Sequence, residues 1–467
     1  MITFEYEYEY EYEFAFTFAM LLVQIFGKTI NINQLQLKSN SSREEEHLLP
    51  AAYNYAVRWR IRNIRSIDWL SLAMEGQLLA TSRPYLQLFA LLTLTPPPSS
   101  FGMSSRSWQR KFLLSIFSLY SCCILLLSVW VTFINVVILA IEVQTLEVTD
   151  FTNALGLVQK LFYTLLMATN YVYMFIHYGR LGDIYREIAA LEKDIDGTFQ
   201  SFGSKCKQPN FRIYMFKRIG LWAIFIVLVL PRLTIPVLTD FMSWRDRILT
   251  EFIIIVLEFK SIEYTLYVFL IRELLRRLRH KLLQLQRELS NCEQRALLQA
   301  LCLAMRRNKQ LLGRIWLLVG QLEGYFLLPM LLIFLYNGVC VLHIVNWAYI
   351  QALNPNDCCR FYRVFYLLIL LTNLLIPCYY NSFGRILHNI RCGCGRITPQ
   401  ELSMVVMEYA LQLEHLKLRF TCGGFFDINL KYFGGMVVTI ISFTIILIQF
   451  KLQALLDTKQ AATQRNG

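Results

Sequence analysis

The sequence predicts an all-α polytopic membrane protein with seven transmembrane helices, a cytoplasmic N-terminus and an extracellular C-terminus. Three observations carry that prediction. Hydrophobic residues make up 55% of the 467, aromatic residues 14% and charged residues only 17%, whereas an average soluble domain carries roughly 25% charged residues. That leaves too little polar surface to cover a water-soluble globule, and too much hydrophobicity for a disordered chain. From residue 112 onward, long apolar runs alternate with basic segments. The basic residues also fall almost entirely on every second connecting segment.

The first 84 residues read as a separate, low-complexity cytoplasmic extension. Residues 5–14 alternate acid and aromatic, from Glu5 and Tyr6 to Glu13 and Phe14. Such alternation suits a strand with its rings on one face, and equally a low-complexity tract with no fold of its own. The apolar run Ala15–Phe26 is about half the length of a membrane span, and its acidic leader is the reverse of what a signal peptide needs. The Asn40-Ser41-Ser42 sequon falls in this extension, and Pro96-Pro97-Pro98-Ser99-Ser100 breaks any helix after it.

Within 85–467 the expected spans are about 112–140, 161–178, 219–239, 248–271, 324–349, 361–382 and 428–450. About 20 apolar residues cross the hydrocarbon layer. The second run is shorter, with room to begin earlier, near Asn153. A soluble helical core does not explain stretches such as Ile219–Leu230 and Val364–Cys378, which are apolar all round rather than on one face. Segments 101–111, 179–218, 272–323 and 383–427 carry 27 Lys and Arg, against seven in 141–160, 240–247, 350–360 and 451–467. Basic loops stay in the cytoplasm, which sets both termini and accounts for the net charge of +13 as topology rather than as a nucleic-acid footprint. Segment 272–323 continues the fourth span as a basic helix, with leucines at 274, 275, 278, 282, 283, 285 and 289. A leucine stripe opposite charges points to helices packed below the membrane, with anionic lipid headgroups as the alternative partner.

No nucleotide loop, zinc-protease helix or kinase signature is present, so no enzyme and no cofactor are expected. Cys392 and Cys394 supply two thiolates, short of a four-ligand zinc site. The informative stretch is C-terminal. Thr421-Cys422-Gly423-Gly424-Phe425-Phe426-Asp427-Ile428-Asn429-Leu430 leads into the last span, which carries Ser442-Phe443, five further residues, and Gln449-Phe450. Thr439, Ser442, Ile446, Gln449 and Phe450 share one side at helical spacing. An amide inside a membrane needs a partner or water. Gln449 therefore bonds a neighbouring helix or faces a pore, where Ile446 and Phe450 would form a hydrophobic constriction.

This ending resembles the insect gustatory receptor family, whose last span carries Thr-Tyr, five hydrophobic residues and Gln-Phe; Ser442 and Phe443 are conservative departures. The resemblance covers about 85–467 and implies a ligand-gated cation channel of four subunits around the last helix, homomeric or heteromeric, in the plasma membrane of sensory neurons, opened by a small-molecule tastant. It implies pore or gate roles for Ser442, Ile446, Gln449 and Phe450.

Candidates for the ligand pocket come from the outer halves of spans two to six: Tyr163, Arg232, Glu258, Tyr336, Asn337, His343, Trp347 and Tyr366. Apolar walls with a few placed polar groups are the usual form of such sites. The plainer readings are a Lys260–Glu263 pair on one helix face and a His343 that only hydrogen-bonds. A related insect odorant receptor is the nearer alternative. A G-protein-coupled receptor would need an external N-terminus, and a transporter an internal repeat of spans.

Overall fold

The computed structural model describes residues 76–95, 108–145, 151–197, 211–239, 244–290, 295–351, 360–381, 400–415, 418–422 and 424–466. All belong to the second of two compact units, residues 69–467. The acid–aromatic tract, the sequon, the proline run and Cys392-Cys394 lie outside the described residues.

The described chain is helical. Helices α1 (Gln77–Leu91), α2 (Trp108–Thr145) and α3 (Phe151–Gly197) are followed by α4 (Phe211–Met215) and a π-helical turn, Phe216–Gly220, that runs into α5 (Leu221–Thr239). Then come α6 (Trp244–Ser290), α7 (Arg295–Gln351), α8 (Arg360–Tyr380), α9 (Gln400–His415) and α10 (Leu430–Asn466). Among the described residues the one extended pairing is a bridge between Thr421 and Asp427. The expected spans lie largely along α2, α3, α5, α6, α7, α8 and α10, with 219–239 beginning in the π-helical turn.

Among the described residues, five helical stretches are long and apolar enough to cross a membrane: Ser115–Ile141, Phe211–Thr234, Gln299–Ala348, Phe361–Tyr380 and Leu430–Phe450. The expected spans 161–178 and 248–271 are more polar; the latter holds Glu251, Glu258, Lys260 and Glu263. Those four residues are buried. Lys260 Nζ donates to Glu263 Oε2 at 2.7 Å and lies 5.0 Å and 5.1 Å from the Tyr325 and Phe326 ring centroids. Polar residues too costly to leave in hydrocarbon thus turn toward the protein interior.

Helix α7 is the organising element, packed against α3, α6, α8, α9 and α10. Its 57 residues reach about 85 Å at 1.5 Å per residue, far beyond a ~30 Å hydrocarbon layer. Its first half lies in a bundle with the later halves of α3 and α6 and with α9. There Leu274, Leu275, Leu278, Leu282 and Leu285 are buried, so the leucine stripe does serve helix packing. Ion pairs tie the bundle across its helices. Arg277 bonds Glu192 at 2.9 Å and Asp196 at 3.3 Å, Arg314 bonds Glu187 at 2.9 Å and also Asp194, and Lys309 bonds Glu408 at 2.8 Å. Burial pushes the Glu192 carboxyl up, against the pull of Arg277. Burial would lower Arg314, but Glu187 and Asp194 outweigh it and raise the guanidinium.

Helix α1 crosses the 84/85 boundary expected from sequence. It is part of the core: Leu78, Leu79, Leu86 and Phe89 are buried, and Leu78 N donates to both Glu192 oxygens at 3.1 Å and 3.0 Å. A carboxylate at a helix N-terminus satisfies otherwise orphan amides. The low-complexity character therefore ends before Gln77, where apolar residues find a groove on α3 and α6.

Candidate ligand pocket and pore helix

The pocket candidates divide into a group that converges and others that do not join it. On α7, Tyr336, Cys340, His343 and Trp347 follow at steps of four and three, which puts them on one helix face. Tyr336 and Tyr366 adjoin each other, and Tyr336 also adjoins Cys340 and Gln159 of α3. His343 Nδ1 and Gln159 Oε1 are 2.6 Å apart, so the imidazole donates from Nδ1 and the amide oxygen accepts. Glu258 of α6 lies beside Asn373 of α8, and Tyr366 lies beside both Glu258 and Glu251. The result is a continuous polar path, Glu251–Tyr366–Glu258 and Tyr336–Gln159–His343, inside four helices. Glu251, Glu258, Tyr336 and Tyr366 are 8% exposed or less.

Tyr163 is buried on α3 one turn beyond Gln159, and Asn337 is buried on α7. Trp347 is half-buried. Arg232 does not join the group. Helix α5 packs through Ile226, Leu230, Leu233 and Thr234, and Arg232 is exposed on another side, where a long side chain can carry its charge toward the membrane surface. Placing Arg232 among the pocket candidates assumed a packing face that an all-round apolar helix does not reveal. Gln159, Cys340 and Asn373 enter the cluster without having been expected. Gln159 sits just before the apolar run that marks the second span; a polar residue one turn from a span edge and in phase with Tyr163 was the available signal.

Among the described residues, neither carboxylate of this cluster forms an ion pair. Glu251 lies beside the Thr234 hydroxyl and Glu258 beside the Asn373 amide, both uncharged. Buried carboxylates normally meet a cation or several donors, so the cluster is chemically suited to a group that brings positive charge or N–H donors.

The segment leading to α10 shows why its motif reads as it does. Gly424 takes φ +76, the left-handed region that favours glycine, and its N–H donates to Thr421 Oγ1 at 3.1 Å. Cys422 N donates to Phe426 O at 2.8 Å and Ile428 N to Phe420 O at 2.9 Å, closing a small hairpin. Arg419 pairs with Asp427 at 3.2 Å. Asn429 Oδ1 accepts from Tyr432 N at 2.9 Å, an N-cap. Phe426 stacks on Tyr432 at 3.9 Å, and both meet the edge of Phe334 on α7.

Beyond that anchor α10 is bare. None of Leu430–Phe450 is buried, although the stretch is strongly apolar. Ser442, Ile446, Gln449 and Phe450 are all exposed. Thr439 and Ser442 donate their hydroxyls to the carbonyls of Gly435 and Val438, at 2.9 Å each, which satisfies the hydroxyl donors within the helix itself.

The comparisons agree with this architecture. The family described as 7tm Chemosensory receptor matches residues 82–454. Gustatory receptor 98b of Drosophila melanogaster is 46% identical over 391 residues, covering 82% of this chain and 97% of the relative. Gustatory receptor 98c of the same fly is 42% identical over 389 residues, covering 82% and 95%. Among solved structures, an insect olfactory receptor from Machilis hrabei aligns with TM-score 0.52 at 14% identity, over 85% of this chain and 99% of that one. Its complex with eugenol aligns with TM-score 0.53 over 82% and 100%. At that identity the likeness speaks for the fold. The family match and the two relatives go further: the chain belongs to the 7tm chemosensory receptor family and is a multi-pass membrane protein.

Proposed function

We propose that the protein is a gustatory receptor and a subunit of a ligand-gated cation channel, opened by a small-molecule tastant. The observation that carries this is α10. A helix apolar enough to span a bilayer, with none of that stretch buried, suits the wall of a pore shared between subunits. On this reading four copies, of this chain or with related receptors, surround the pore. Ser442 and Gln449 then face water, and Ile446 and Phe450 form the constriction. The fly relatives named as gustatory receptors support the taste assignment over an olfactory one.

The chain crosses the membrane seven times in this proposal, with α3 and α6 supplying the two more polar crossings, the N-terminus inside and the C-terminus outside. The segment before α1 is an extension that the channel does not need. The tastant binds at the Glu258–Tyr336–Tyr366–His343 cluster, and its differential affinity for the open state shifts the population. The solved relative bound to eugenol supports a small organic ligand of this size class. Glu251 and Glu258, whose neighbours Thr234 and Asn373 carry no charge, favour a tastant carrying a protonated amine.

The test is current recording in a host cell, alone and with co-expressed gustatory receptors, under a panel of matched amine and neutral tastants. A ligand-evoked cation current supports the channel reading. Responses that require host G proteins overturn it. Orientation is tested separately with tags: an N-terminal tag is expected to be hidden on intact cells and a tag after Gly467 accessible, and the reverse pattern overturns the topology.

A further inference from the structure

The π-helical turn Phe216–Gly220 stands apart from the pocket and the pore. Such turns interrupt a helix at a cost and recur at functional sites. Around it lie Arg212, Lys217, Arg218 and Arg272, and none of the four forms an ion pair among the described residues. Arg218 and Arg272 are nonetheless held. Their guanidinium carbons stand 5.8 Å from the Tyr214 ring centroid and 5.7 Å from the Tyr380 ring centroid, respectively. Phe269 joins the two rings, at 5.1 Å from Tyr214 and 5.8 Å from Tyr380. Two cations are therefore held near Tyr380 on an aromatic shelf, with no ion-pair partner among the described residues.

Beneath Arg218 a narrow cleft opens between α5, α6 and α8, with Ile219, Trp222, Ile262 and Ile376 along its apolar side and Ser261, Thr265 and Asn373 deeper in. Arg218 thus stands at the mouth of a cleft between membrane-embedded helices. Its apolar side offers a contact that a free polar metabolite would not use. An amphiphile with an anionic head and an apolar tail matches both parts. Arg218, Arg272 and Tyr380 each lie at the cytoplasmic border of an expected span, level with the leaflet that carries anionic lipids.

We propose that this is a binding site for an anionic phospholipid of the phosphoinositide class, with its phosphorylated headgroup on Arg218 and Arg272 and an acyl chain lying along the apolar side of the cleft. Guanidinium donors pair with phosphate oxygens in a bidentate fork, and basic pockets between membrane helices on the cytoplasmic side are a known form of headgroup site. The choice of leaflet rests on the orientation proposed above; the headgroup and chain chemistry does not.

The test uses the full-length receptor in detergent, where no leaflet exists, and reads binding of a fluorescent phosphatidylinositol bisphosphate by anisotropy. Saturable binding is expected, with competition by the unlabelled lipid and none by phosphatidylcholine. Inositol trisphosphate, which has the headgroup and no chain, is expected to compete at least ~tenfold more weakly. Arg218→Gln with Arg272→Gln is expected to weaken binding at least ~tenfold, and Trp222→Ala to weaken it severalfold. Arg306→Gln with Arg307→Gln removes the same charge from an exposed part of α7 and is expected to leave binding unchanged. Unchanged melting temperatures in detergent certify the fold of each variant. The proposal is overturned if the α7 double variant weakens binding as much as the Arg218, Arg272 pair, since the attraction is then diffuse. It is also overturned if inositol trisphosphate competes as well as the lipid, since the site then takes a free phosphate. Lys217→Cys on intact cells checks the orientation independently: labelling by an impermeant maleimide would reverse the topology without touching the detergent result.

Discussion

Helices α7 and α10 are nearly indistinguishable as sequences of a membrane span, yet the protein treats them oppositely. Their most apolar windows have equal mean hydropathy, but 61% of the α7 window is buried and none of the α10 window is. Hydropathy therefore establishes only that each stretch prefers an apolar medium. In α7 that medium is the rest of the chain. In α10 it is whatever lies outside the single subunit. The difference can be located: α7 packs against α3, α6, α8, α9 and α10, whereas α10 packs chiefly against α7 and α8, with Phe426, Tyr432 and Phe334 clustered at its start.

The sharpest way to break this comparison is to truncate one buried and one bare side chain. Leu318 on α7 is fully buried and Ile445 on α10 is 51% exposed. Leu318→Ala is expected to cost about 2–5 kcal/mol, through lost burial and a cavity, read as a lower melting temperature and lower surface expression. Ile445→Ala is expected to fall within about 0.5 kcal/mol in the isolated subunit. If Ile445→Ala instead weakens the assembled receptor alone, seen by cross-linking, α10 finds its packing between subunits. Equal losses in the isolated subunit would erase the distinction.

The pore reading adds a functional form of the same contrast. Phe450 is exposed in the single chain, so its truncation has little to disturb there. In a closed constriction its burial is worth about 1.5–3 kcal/mol, and Phe450→Ala is expected to raise ligand-free current about tenfold or more. Phe443→Ala in the same helix serves as the control and is expected to change packing or expression. If Phe450→Ala reaches the surface with basal and evoked currents equal to the parent's, Phe450 does not gate.

At the pocket the contrast is between a buried charge with a role and one without. Glu258→Gln keeps shape and hydrogen bonding and removes only the charge. A charged hydrogen bond contributes about 1.5–3 kcal/mol, so the half-maximal concentration of an amine tastant is expected to rise about tenfold or more, with neutral analogues changed little. Equal shifts for both classes would assign Glu258 to structure. The expectation concerns ligand charge, so the recordings compare matched pairs at one pH.

How much of this was legible in sequence depended on whether a feature is local. The leucine stripe of 272–289 could be read because helical periodicity is local, and the hairpin could be read at Gly424 and Asn429, whose backbone and capping preferences are residue-intrinsic. Glu258, Tyr336, His343 and Tyr366 could be selected as polar groups in apolar runs. Their convergence with Gln159 could not, because it depends on how four helices rotate against one another. Arg232 shows the same gap from the other side. The pairs Arg314–Glu187 and Arg277–Glu192 join residues 127 and 85 apart, and nothing in local pattern selects such partners among 46 basic and 33 acidic residues. The start of α1 was hidden because eight of its residues, Gln77–Pro84, look unremarkable until α3 and α6 supply a surface for them.

The smallest expected effect concerns the bundle's outer edge, where the contacts between α9 and α7 include two of different kinds. Tyr409 Oη donates to Asn308 Oδ1 at 2.8 Å between buried side chains. Lys309 and Glu408 pair at 2.8 Å in the open, with Glu408 58% exposed. An exposed pair contributes about 0.2–1 kcal/mol, and the hydrogen bond and charge of Lys309 hold the Glu408 carboxyl below its usual value. A carboxyl depressed in the folded state binds fewer protons there than when unfolded. Its contribution is therefore present above the usual carboxylate value and is lost as pH falls through the lower folded one. Lys309→Ala is expected to lower stability slightly at neutral pH, with the difference shrinking in acid and in high salt. Tyr409→Phe is expected to cost more, about 1 kcal/mol or above, because it strands a buried acceptor, and to show neither dependence. A Lys309→Ala loss as large as that of Tyr409→Phe, and indifferent to both pH and salt, would mean that Lys309 acts through packing and not through its charge.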